Sequence, residues 1–131
     1  MSDANVGRMR QAFAAFERGD KDTWQELFDP EIEVVPIGDW PEGQIRGRDA
    51  AWQFFVAIDD HWDPGSYDLS EVTESDDHVA ARMRRHLRGK SSRVEVEYDY
   101  WIVLTFREGQ VTRAEWFEGR REALAAAGLS V

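Results

Sequence analysis

The sequence predicts an α+β domain: one curved antiparallel sheet with helices covering one face. Up to residue 62 the apolar residues recur mainly at helical spacing, and from Tyr67 onward they alternate with polar ones at period two. The resulting order of helix, helix, strand, helix and four strands puts the hairpins together in one sheet. At 131 residues the chain makes a single domain large enough for a core of its own.

Val6, Met9, Phe13 and Phe16 form the stripe of a first helix over residues 4 to 18, with Gly19 as its stop. Asp20 starts a second, carrying Trp24, Leu27 and Phe28, which ends at Asp29 because a residue before proline is pushed out of helical geometry. Residues 31 to 37 read as a strand. Pro36, Gly38, Pro41, Gly43 and Gly47 then punctuate a loop that carries Trp40. Trp52, Phe55, Ile58 and Trp62 mark a third helix over 49 to 61. Strands are expected at 67 to 73, 78 to 88, 93 to 106 and 110 to 118, and a closing helix at 121 to 127.

A net charge of −10 disfavours binding along a phosphate backbone, so no nucleic-acid partner is expected. Without cysteine there is no disulfide, thiol nucleophile or thiolate metal site. The longest apolar runs, such as Tyr100 to Leu104, have five residues, far short of a membrane helix, and the first residues lack a signal peptide's apolar stretch. The expectation is a cytoplasmic protein with no membrane partner. His61, His78 and His86 are dispersed and no glycine-rich loop joins a strand to a helix, so neither a metal nor a cofactor is expected.

Pairing the strands places the side chains. A four-residue loop at Gly89 to Ser92 sets His86 opposite Glu95, Arg84 opposite Glu97 and Arg82 opposite Asp99, with apolar pairs such as Met83 and Tyr98 on the other face. Arg85 is then the one charged residue on the apolar face of this hairpin. A three-residue loop at Arg107-Glu108-Gly109 sets Tyr100 opposite Trp116 and Tyr98 beside Glu118. The covered face thus collects Arg85, Tyr98, Tyr100, Trp116 and Glu118 beneath helices bearing Trp24, Trp52 and Phe55. An aromatic wall with a few convergent polar groups is the usual lining of a small-molecule cavity.

Several segments, in this order, resemble the nuclear transport factor 2-like superfamily and its SnoaL-like polyketide cyclase group. They are Phe16-Glu17-Arg18-Gly19-Asp20, the run from Leu27 through Asp29-Pro30 to Glu33, Gly47-Arg48-Asp49-Ala50, the run from Thr105 through Glu108-Gly109 to Val111, and Glu122 through Gly128-Leu129. The resemblance implies a cone-shaped partial barrel with three helices on the concave face, a pocket between sheet and helices, and a dimer packed through the sheets. It does not imply one reaction. Where ketosteroid isomerases place a base this chain has Val35, and where limonene epoxide hydrolases place an Asp on the last strand it has Trp116. Their Arg and second Asp fall near Met83 and Arg85. SnoaL-type cyclases use an acid near the end of the last strand, where Glu118-Gly119 stands.

The expected catalytic residues are therefore Glu118 as acid or base and Arg85 and Tyr100 as stabilisers of a negative oxygen. Trp24, Trp40, Trp52, Phe55, Met83, Tyr98 and Trp116 are the expected ligand-binding residues. The bland alternatives are plain core for Trp24 and Trp52 and an ion pair between Arg85 and Glu118. Two functions remain: cofactor-independent cyclase or isomerase chemistry on a mainly apolar small molecule, or binding and sensing of such a ligand. On the other face, Trp101, Val103 and Phe117 continue the charge ladder and predict a homodimer through the sheet, unless the closing helix covers them.

Overall fold

Gly19 ends the first helix and Asp20 begins the second. The computed structural model describes residues 3–36, 44–63 and 66–129, with α1 at Asp3–Glu17 and α2 at Lys21–Glu26. Gly19 has φ +71, the left-handed geometry that closes a helix most easily without a Cβ. The Asp20 carboxylate accepts a hydrogen bond from the Thr23 amide at 3.2 Å, serving one of the orphan donors of α2. The bonds from Thr23, with the Arg18 guanidinium beside them, hold this carboxyl below its ordinary value of 3.8. A depressed folded-state value adds stability above pH 3.8 that is lost as pH falls through the folded value. Asp20→Ala should therefore lower the urea midpoint at neutral pH, and the gap to wild type should narrow in strong acid. Circular dichroism at both pH values checks this; a gap that is constant across pH rejects the charged cap.

The second helix stops at Glu26 rather than Asp29, and β1 (Phe28–Val35) begins at once. Proline pushes Asp29 into extended geometry, and the chain uses that geometry to start a strand. Pro30 has no N–H to donate, and the pairing of β1 with its neighbour is irregular between Phe28 and Glu33. The two-residue β2 (Ile45–Arg46) lies inside the expected loop, paired with Glu33 and Val34. Gly47 at φ +97 precedes α3 (Arg48–Asp59), whose first residue ties the helix to β1 through a 2.7 Å bond from Arg48 Nε to the Phe28 carbonyl.

Strands β3 (Ser66–Glu74), β4 (His78–Arg88), β5 (Glu95–Arg107) and β6 (Gln110–Phe117) form the expected run of antiparallel hairpins. The sheet order is β2-β1-β6-β5-β4-β3, with β1 parallel to β6, so the sheet is mixed and does not close. Both expected registers shift by two residues. His86 lies opposite Glu97 and Arg82 opposite Trp101, because the β4–β5 loop has six residues, Gly89 to Val94, rather than four. A shift of two keeps every side chain on its face. The charges still meet, on the diagonal: Arg82 to Asp99 at 2.5 Å, His86 to Glu95 at 2.7 Å and Arg84 to Glu97 at 3.8 Å.

Ile102, not Tyr100, faces Trp116: the two-residue β5–β6 turn moves the register by one residue, and an irregularity between Thr105 and Phe106 moves it by one more. Glu108 and Gly109 both have positive φ, +52 and +81, as a type I′ turn requires.

Met9, Ala12, Trp24, Phe28, Ile32, Val34, Val79, Ala81, Ile102 and Leu104 fill the space between the sheet and α1–α3. On the opposite face α4 (Arg120–Ala126) lays Ala123 and Leu124 over Ala80, Trp101 and Val103, and Phe117 packs at the edge. Trp101 is only 5% exposed. This corrects the basis of the expected dimer: the closing helix of the same chain covers the aromatic patch.

Candidate functional site

Arg85 points from β4, next to the edge strand of the sheet, toward the end of α3. Its side chain is 20% exposed, and its guanidinium meets one carboxylate, that of Asp59, through Nη1 and Oδ1 at 3.2 Å. Asp59 is the last residue of α3, the end of a helix where the dipole disfavours a negative charge. The Arg85 cation supplies what the helix does not. Beside it, Tyr100 donates its hydroxyl proton to the Met83 sulfur at 3.1 Å. Burial pushes the Tyr100 hydroxyl above its usual 10.0, opposed by the charge of Arg85 and by hydrogen bonding with Arg85 and Trp116. At neutral pH it therefore remains a donor.

Behind this polar group lies a continuous set of rings. Trp116 leans on Phe55 at 5.5 Å, Phe55 and Trp52 each meet Phe16 edge-on, and Trp24 meets Trp52 at 5.2 Å. Trp24 also stacks on Phe28 at 4.0 Å and is 3% exposed, as buried as Met83. These two are core. Trp52, Phe55 and Trp116 are half-buried.

Other expected site residues lie apart. Tyr98 is 45% exposed and rests edge-on against Trp62 at 6.0 Å rather than in an enclosed wall. Glu118 is exposed, one residue beyond the end of β6, so it lacks the apolar burial expected of it. The carboxylate on Arg85 is that of Asp59. Trp40 falls outside the described residues. Asp59 carried a signal, for it stands four residues after Phe55 and seven after Trp52 and so ends the inward stripe of α3 in a carboxylate.

Two open grooves lie elsewhere, about 590 Å³ by Gln25, Arg46 and Arg48, and about 350 Å³ by His61, Trp62 and Lys90. Arg85 and Tyr100 border neither. Among the described residues no group of three His, Asp or Glu side chains is placed to hold a metal, and no helix is long and apolar enough to cross a membrane.

An open, mixed six-stranded sheet with four helices is the α+β architecture of the nuclear transport factor 2-like fold. Residues 9–114 match the family model of the SnoaL-like domain, and the chain belongs to that family. Among curated proteins, none matches it in sequence. An NTF2-like protein from Burkholderia xenovorans shares 25% identity with a TM-score of 0.75, covering 97% of each chain. A putative SnoaL-like polyketide cyclase from Jannaschia superposes with a TM-score of 0.81 at 17% identity, over 100% of this chain and 96% of that one. TerC, co-crystallised with polyporic acid, gives 0.76 at 18% identity, over 95% and 97%. The fold is thereby established, and members of the family often bind small molecules or act as cyclases or isomerases.

Proposed function

We propose that the chain binds a mainly apolar small molecule against Trp52, Phe55 and Trp116, with the polar end of the ligand at Arg85 and Tyr100. One observation carries this reading. The only charged side chain that the β4–β5 hairpin turns toward the helices ends beside a neutral tyrosine donor, next to half-buried rings. Apolar surface that stays partly uncovered, with convergent polar groups at one end, is the usual form of a ligand site. The co-crystal of TerC with polyporic acid supports the use of this fold for an organic ligand.

Acid–base turnover of the cyclase or isomerase kind is the second reading, and the position of Asp59 favours it. Its carboxylate lies on the same guanidinium that would face a developing negative oxygen, so Asp59, rather than Glu118, is the base we assign. Arg85 and Tyr100 then stabilise the oxyanion. No cofactor enters this scheme.

Isothermal titration of the purified protein with a panel of bicyclic aromatic ketones and acids tests the site. Trp116→Ala should weaken any ligand found by about tenfold or more, the value of one lost aromatic contact face. Unchanged affinity would move the site elsewhere. Incubation of each bound compound with the protein, followed by mass spectrometry, separates the readings: an enzyme transforms one of them and loses that turnover in Asp59→Asn, whereas a binding domain returns all unchanged.

A homodimer across the outer sheet face now has the ladder of Arg82, Arg84, His86, Glu95, Glu97 and Asp99 to pair through, and sedimentation at micromolar concentration tests it.

A further inference from the structure

The hydrogen-bonding groups around Arg85 form an unbalanced set. The guanidinium offers five N–H groups, and Asp59 takes one of them through a single oxygen at 3.2 Å. Its Nε is buried and has no acceptor. Tyr100 has only the Met83 thioether to donate to, and sulfur is a weak acceptor. The indole N–H of Trp116, which stands near the Tyr100 hydroxyl, is a donor and nothing else. A buried cationic donor without an acceptor is costly, and its cost is recovered only when an acceptor arrives. Three neighbouring side chains thus present donors, while the acceptors are one partly exposed carboxylate at a helix end and the Tyr100 oxygen, which is neutral.

We propose that the ligand of this site is an organic anion, an aromatic molecule bearing a carboxylate or an ionised enol, whose oxygens displace Asp59 from Arg85 and accept from Tyr100. This rests on the ligand site proposed above and adds the ligand's charge. Charge balance selects an anion over a neutral carbonyl compound. A neutral ligand that displaced Asp59 would leave the guanidinium desolvated and unpaired, whereas an anion replaces one negative partner by another. A carboxylate also matches the planar fork with two parallel bonds, which the single contact from Asp59 does not do. Asp59 is 37% exposed, so the displaced carboxylate returns to water at low cost.

The test compares 2-naphthoate with 2-naphthamide, two probes of equal shape that differ in charge, by isothermal titration at neutral pH. Wild type should bind the carboxylate at least about tenfold more tightly, a preference on the scale of one charge-assisted hydrogen bond. Arg85→Gln should bring the ratio of the two affinities near one, and Tyr100→Phe, which keeps the ring and the fold, should lower it. Asp59→Asn should raise the ratio, because it removes the competing carboxylate. Equal binding of both probes by wild type leaves the ligand site standing and overturns the anion. A preference that survives Arg85→Gln overturns it as well, provided circular dichroism shows that the variant is folded. If neither probe binds, the ligand site and its charge fall together.

Discussion

Trp24→Ala is expected to destabilise the protein by about 3–5 kcal/mol, the cost of deleting a fully packed aromatic side chain. Trp24 is 3% exposed, stacks on Phe28 at 4.0 Å and meets Trp52 and Phe55 edge-on. It is also the only buried residue of α2, a six-residue helix too short to persist on its own propensity. Losing the ring removes both the contacts and the anchor that holds α2 on the sheet. Urea unfolding followed by circular dichroism measures the change, which is a large share of the ~5–15 kcal/mol that stabilises an ordinary domain. A loss below about 1 kcal/mol would show that α2 is held by something else.

Trp101→Ala is expected to cost a similar amount, about 3–5 kcal/mol, and for a different reason. Trp101 belongs to the outer cluster with Ala80, Val103, Leu124 and Ala127, away from the core shared by α1–α3. Leu124→Ala should cost about 2–5 kcal/mol, and the double variant less than the sum, because both changes empty one cluster. The two sites are read from urea midpoints, with coupling taken from the cycle. Strict additivity would mean that α4 does not pack on Trp101. Trp24 and Trp101 stand in separate clusters, so their effects should add.

α1 and α3 were legible because each carries a local apolar stripe, Met9 and Phe16 closed by Gly19 and Trp52 with Phe55, whereas the end of α2 was misplaced because Asp29-Pro30 belongs to a strand. The faces of the strands were legible for the same reason, since alternation is local. Register was not. Alternation repeats every two residues, so placing His86 opposite Glu95 or opposite Glu97 satisfies the same pattern, and the choice depends on the conformations of Gly89 to Val94. Arg93 at φ +62 and Glu108 at φ +52 take backbone geometry that their residue types do not announce.

The parallel pairing of β1 with β6 joins Val34 to Ala114, 80 residues apart, and leaves no local mark. The same distance limit explains the site. Arg85 was identified as an inward charge from its strand alone, but its partner depends on where α3 crosses the sheet, and that crossing selects Asp59 over Glu118. Trp52, Phe55 and Trp116 pack on the inner side of the sheet as their spacing predicted, while Trp24 and Met83 are buried in the core there.

The covering of the outer sheet face by α4 sets a time scale for the molecule. A seven-residue helix has almost no stability apart from the surface that it lies on, and this one is tied down mainly by Leu124, by a bond from Ser75 Oγ to the Ala127 carbonyl at 3.1 Å and by Arg120 on Glu71 at 3.5 Å. It can therefore lift as a unit far more often than the whole chain unfolds. Each lift uncovers Trp101, Val103 and Ala80 on an otherwise intact sheet, an apolar surface that can meet another copy before the helix returns. Self-association at high concentration then follows the frequency of that opening, and a substitution that removes the Ser75 or Arg120 tie raises it.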